Sequence, residues 1–181
     1  MTETTGPEVM WAGKFVTVKR DGRWEYVSRS RGIRAAVIIA VDEGGDDGPH
    51  LILVEQYRVP LGRSCLELPA GLVGDDEDLA NEESATAAAR ELEEETGYRA
   101  GSMEDLGEFY SSPGLVSESF TLFRARNLTQ VHEGGGTDGE DIVVHRVPLG
   151  EVRAYVEARR AEGMALDVKL LIALGGTYLD I

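Results

Sequence analysis

Apolar residues in this chain fall into short bounded runs in some places and helical stripes in others, and the two periods together predict an α/β protein. Lys14 to Arg20 reads as a strand, Asp21-Gly22 as a hairpin turn, and Arg23 to Arg29 as the partner strand, after a start expected to be loose. Gly32 to Val41 and His50 to Tyr57 are continuous apolar runs flanking the acidic loop Gly44–Gly48, which suggests a sheet covered on both faces. Ser117 to Arg126 places Phe120, Leu122 and Arg124 on one face and Thr121, Phe123 and Ala125 on the other. A further strand, Ile142 to Val147, stops at Pro148. Gly150–Ala161 and Ala165–Leu174 then carry helical stripes: Val152, Tyr155 and Val156, followed by Leu166, Leu170, Leu171 and Leu174. Asp167 suits the first turn of the second helix, and both helices read as structural.

The most informative helix lies between these strands. Asn81 can cap a helix beginning near Glu82, alanines sustain it, and Gly97 is placed to end it. On it Glu91, Glu94 and Glu95 stand at i, i+3 and i+4, so three carboxylates share one face near the negative helix end. Such a face is either simply solvated or a site for a hard divalent cation such as Mg²⁺ or Mn²⁺, which prefers oxygen ligands. Leu68-Pro69-Ala70-Gly71 is expected to break the preceding strand into a loop, with Gly71 in an unusual conformation and the Ala70 carbonyl turned toward the carboxylates.

These residues resemble the signature of the Nudix hydrolases: Gly, five residues, Glu, seven residues, then Arg-Glu-apolar-x-Glu-Glu-x-Gly-apolar. Arg90 to Tyr98 fits the second half at every specified position, and Gly71 with Glu77 fits the first. Twelve residues separate Glu77 from Arg90 instead of seven; Glu82 keeps the seven-residue spacing, so either glutamate can fill the first position. The resemblance implies a Nudix-like α/β/α sandwich with a mixed sheet over residues 31–181, preceded by an antiparallel β extension over residues 1–30. It also implies two or three Mg²⁺ ions (or Mn²⁺) held by Glu91, Glu94, Glu95 and the carbonyl of Ala70, with Arg90 orienting the carboxylates.

Outside the signature, the likeness is to the ADP-ribose pyrophosphatase branch. Gln56-Tyr57-Arg58 is similar to the segment that supplies a substrate-binding arginine there, and Glu67 would orient that arginine or the loop. The loop Phe109 to Gly114 places Pro113 fifteen residues after Tyr98, near that branch's diagnostic proline, with Gly114 offering backbone N–H groups to an anion. Glu133 to Gly139 is mobile by composition and ends in Glu140-Asp141-Ile142; that pattern resembles the branch's catalytic loop, which makes Glu140 the expected base. Phe15 and Trp24 are either packing aromatics or, as in that branch, an adenine-stacking platform on an extension that crosses to the partner subunit, implying a homodimer. The implied reaction converts ADP-ribose to AMP and ribose 5-phosphate. Alternatives are another diphosphate, such as a GDP-hexose or a diadenosine compound, and a non-catalytic ADP-ribose sensor.

Composition narrows the partners. Across 181 residues, 18 Lys and Arg face 33 Asp and Glu, a formal charge of -15, which disfavours nucleic acid. Cys65 is alone, and no apolar run reaches membrane-spanning length, so cytoplasm is the expected compartment. His50, His132 and His145 lack zinc-site spacing, and no P-loop, dinucleotide fingerprint or nucleophile elbow occurs.

Overall fold

A computed structural model describes residues 6–30, 33–44, 47–73, 83–137 and 139–175. The chain opens with an antiparallel sheet of β1 (Glu8–Ala12), β2 (Val16–Asp21) and β3 (Trp24–Arg29). Asp21 pairs with Trp24, leaving Gly22-Arg23 as a two-residue loop whose first residue, Gly22, has the φ of 55° that tight hairpins need. The start expected to be loose is therefore β1 from Glu8 onward, because Val9 to Ala12 finds the open edge of β2. This sheet is tied to the rest through β3. Val27 donates to the Leu115 carbonyl at 3.0 Å and accepts from Ser117 at 2.9 Å, and Arg29 pairs with Glu118.

The main sheet contains β4 (Arg34–Asp42), β5 (His50–Arg58), β6 (Arg63–Glu67) and β7 (Ala70–Val73). After α1 (Ser84–Thr96) come β8 (Tyr98–Arg99), β9 (Ser102–Tyr110), β10 (Ser119–Arg126) and β11 (Thr129–Gln130). The chain then adds β12 (Val143–Pro148), α2 (Val152–Ala161), β13 (Ala165–Leu166) and α3 (Leu170–Leu174). The strand order is β13-β6-β5-β4-β10-β9, with β12 on β5 and β7 on β4, while β8 pairs with β11. Two pairings, β10 with β4 and β13 with β6, are parallel, so the sheet is mixed.

Its two faces bury different sets, as the continuous apolar runs of β4 and β5 require. Val37, Ile39, Leu51 and Leu53 pack with Val152, Val156 and Leu170 of the C-terminal helices. Ala36, Ile38, Ala40 and Ile52 pack with Ala88 and Leu92 of α1. The result is the expected α/β/α sandwich, with the antiparallel sheet ahead of it. No helix among the described residues is long and apolar enough to cross a membrane.

The feature that makes room for a site is a split. β4 pairs with β5 only through Val41↔Leu51 and Asp42↔His50. Toward the other end β4 pairs instead with β7, from Val37↔Ala70 to Arg34↔Val73, and the Pro69 carbonyl accepts from Ile38 at 2.8 Å. β4 and β5 therefore diverge, and a cleft opens between them.

Three local expectations are corrected. Phe109 and Tyr110 belong to β9, not to the following loop, because the ladder with β10 runs to Ser119↔Tyr110. Residues 165–174 are not one helix: Ala165-Leu166 adds a short strand to β6, Asp167 turns the chain, and the helix covers only Leu170–Leu174, which leaves Leu171 exposed. Gly71 lies within β7 and has no positive φ.

Candidate functional site

The site is built on α1, whose end is held in an unusual way. Gly97 adopts φ 76° and its N–H reaches the Glu93 carbonyl at 2.8 Å, a left-handed cap. The next orphan carbonyls are taken by a distant glycine run: Gly136 donates to Glu94 O at 3.1 Å and Gly135 to Glu95 O at 2.9 Å. A side chain at Gly134 would put Cβ 2.5 Å from the Thr96 carbonyl carbon, so only glycine permits this approach. Gly134 to Gly136, within the stretch read as mobile by composition, lie against the helix, their lack of side chains serving close packing. Asn81, Glu82 and Glu77, proposed for the cap and for the signature's first glutamate, lie outside the described residues.

The three carboxylates line one cleft. Arg90 bonds Glu94 at 2.9 Å and Glu91 at 3.1 Å, so it orients the acidic face from within the same helix. Gly71 answers to Glu91: a Cβ there would stand 2.1 Å from the Glu91 carboxyl carbon. Glu95 is buried, and its Oε2 accepts from the Ala70 N–H at 3.0 Å. Burial, with Glu91 and Glu140 nearby, pushes its carboxyl up to about 8 against the pull of the Ala70 N–H and Arg58. The donor set is all oxygen, as Mg²⁺ or Mn²⁺ requires, and Gly71 leaves Glu91 room beside the backbone. Among the described residues, however, no three His, Cys, Asp or Glu side chains converge as a ready cluster; arginine and backbone donors occupy the carboxylates.

The cleft between the diverging strands encloses about 660 Å³. Arg58, the last residue of β5, enters it in a two-bond fork with buried Glu67, at 2.6 and 2.9 Å. Glu67 is the main reason its guanidinium is held above the ordinary value. Glu140 lines the same cleft, and its Oε2 accepts from the Thr137 N–H at 2.8 Å and the Thr137 hydroxyl at 3.1 Å. The fold thus gathers Ala70, Arg90, Glu91, Glu94, Glu95, Arg58 and Glu140. It leaves Pro113 and Gly114 exposed and outside the lining, although Ser111 and Glu118 on either side of their loop reach it. Trp24 stands exposed on β3 and Phe15 in the bend between β1 and β2, and neither lines the cleft.

Several lining residues have no signal in the sequence, Phe120 and Lys169 among them. Phe120 looked like ordinary core, and Lys169 lay in a stretch read as a structural helix. Only the pairing of β13 with β6 brings Lys169 to the cleft, and nothing in the local sequence signals that pairing.

Comparison with known proteins agrees with this geometry. Residues 31–166 match the NUDIX domain family. The chain is 37% identical over 132 residues to the methanol dehydrogenase activator of Bacillus methanolicus, covering 72% of this chain and 65% of that protein. It is 38% identical over 125 residues to the ADP-ribose pyrophosphatase of Bacillus subtilis, covering 68% and 62%. The chain thus spans slightly less than two thirds of these relatives' length. A crystal structure of an ADP compounds hydrolase superposes with a TM-score of 0.63 at 24% identity, over 84% of this chain and 81% of that one, a likeness of fold.

Proposed function

Because the chain belongs to the Nudix hydrolase family, we propose that it cleaves the diphosphate of ADP-ribose or a related ADP-sugar, with a divalent cation, to AMP and a sugar phosphate. The observation that carries this reading is that Glu91, Glu94, Glu95, Glu140 and the Arg58 fork all line one cleft. Glu91, Glu94, Glu95 and the Ala70 carbonyl would hold Mg²⁺ or Mn²⁺, which when bound neutralises the diphosphate and acidifies a water. Arg58, fixed by Glu67, offers a rigid pair of donors to a phosphate oxygen. Arg90 keeps Glu91 and Glu94 oriented. Glu140, steadied by Thr137, accepts the proton of the attacking water.

The base end of the substrate is assigned to Phe15 and Trp24. A single chain leaves both bare, which supports a homodimer in which the N-terminal sheet completes a neighbour's site. A panel of ADP-ribose, ADP-glucose, GDP-mannose and a diadenosine diphosphate, each with Mg²⁺ and product quantification, tests the substrate. AMP release fastest from ADP-ribose is expected. Turnover confined to GDP-mannose or the diadenosine compound overturns the ADP-sugar assignment and keeps the chemistry; binding without any turnover favours a sensor.

A further inference from the structure

Lys169 enters the cleft from the layer opposite α1. Its neighbour Leu170 packs with Phe120 on the face of the sheet away from Leu92. The segment carrying it hangs on β6: Ala165-Leu166 pairs with Cys65-Leu66, and Asp167 N–H donates to the Leu66 carbonyl at 3.0 Å. The next residue of β6 is Glu67, so one strand places both the Arg58 fork and Lys169.

Asp167 fixes the lysine from two directions. Its Oδ1 accepts from the Lys169 backbone N–H at 2.7 Å and its Oδ2 from the ammonium at 2.5 Å. The ammonium has three donors, of which Asp167 uses one. Its Nζ stands 6.0 Å from the centre of the Phe120 ring, which also lines the cleft.

We infer that Lys169 is a substrate-binding residue that recognises the hydroxyl-bearing sugar on the far side of the diphosphate. This rests on the diphosphate-sugar reading above. The paired ammonium and carboxylate are neutral together, so the spot does not call for a second anion, which Asp167 would repel. A sugar fits instead: its hydroxyls accept from the two ammonium donors that Asp167 leaves, beside a Phe120 ring that is itself packed in the core and fixes where the ammonium stands. With the diphosphate at α1 and the base at the aromatic sheet, the sugar is the group left to meet the opposite layer.

The test compares ADP-ribose with the β-methyl ester of ADP, which keeps the nucleotide and diphosphate and lacks the sugar. In Lys169→Met the ratio of kcat/KM for ADP-ribose over the ester falls about tenfold, mainly through KM, the scale of one lost charged hydrogen bond. Lys169→Arg retains most of the preference. Calorimetric titration of ADP-ribose in chelator shows binding about tenfold weaker for Lys169→Met. An unchanged ratio with unchanged binding overturns the inference, as does an equal loss on both substrates. If Lys169→Met does not fold, Lys169→Gln takes its place. If the wild-type protein splits neither compound, the proposed function fails, while the titration still decides Lys169; if it also binds no ADP-ribose, both fall.

Discussion

The carboxylate-bearing helix α1 and the N-terminal sheet differ sharply in how completely one chain finishes them. On α1, Ala88 and Leu92 are fully buried, and the helix end is capped by its own glycine and by a second glycine run. On the N-terminal sheet Trp11 and Trp24 are 56% and 57% exposed, and Phe15, in the bend between β1 and β2, is 67% exposed. A residue that must hold chemistry within a few tenths of an ångström sits on rigid, internally satisfied structure. Three bare aromatics on and beside one small sheet are what the proposed association would cover. The contrast therefore separates a region whose packing one chain completes from a region whose apolar surface one chain leaves open.

Leu92→Ala breaks the first side of the contrast most severely. Deleting a fully buried leucine costs about 2–5 kcal/mol, read by urea unfolding; a cost under about 1 kcal/mol would mean the helix is not anchored as described. Gly134→Ala comes next. It meets the Thr96 backbone and requires φ 75°, so a loss of about 2 kcal/mol or more is expected, with lowered activity as the Glu140 loop shifts. Gly71→Ala should separate stability from function. The clash falls on the flexible end of Glu91, so unfolding changes little while kcat drops by about tenfold or more.

The pH dependence sharpens the same region. The folded state holds the Glu95 proton up to about 8, whereas the unfolded chain releases it near 4.5. Between those values the folded state binds more protons, so metal-free stability falls as pH rises from about 4.5 to about 8 and then levels. The drop is at most a few kcal/mol, and Glu95→Gln should flatten it; a wild-type curve no steeper than the variant's would remove the buried-acid description. The smallest effect belongs to the other region. Trp11→Ser should change the stability of the isolated chain by about 0.5 kcal/mol or less, and a larger loss that depends on protein concentration would point to association.

Much of α1 was legible because its signals are local: carboxylates spaced i, i+3 and i+4, a terminal glycine and an alanine-rich body. The apolar runs of β4 and β5 likewise announced a sheet covered on both faces. Elsewhere long-range contact overrides composition. The glycines at 134–136 looked like slack and proved to be close packing against α1. Gly71 sits in a sequence context that suggests backbone freedom, yet it is needed for the approach of Glu91. Ala165-Leu166 carried a helical stripe and was recruited as a strand by the open edge of β6. The placement of Lys169 depends on that recruitment and was invisible beforehand.

The central claim is that the α1 carboxylates drive hydrolysis of a nucleoside diphosphate sugar. The most direct measurement is AMP release from ADP-ribose as Mg²⁺ is titrated, for the wild-type protein beside Glu94→Gln. The account predicts release that needs the cation and falls by at least about a hundredfold in the variant. Release that persists in chelator, or a Glu94→Gln rate within a few-fold of wild type, would contradict it.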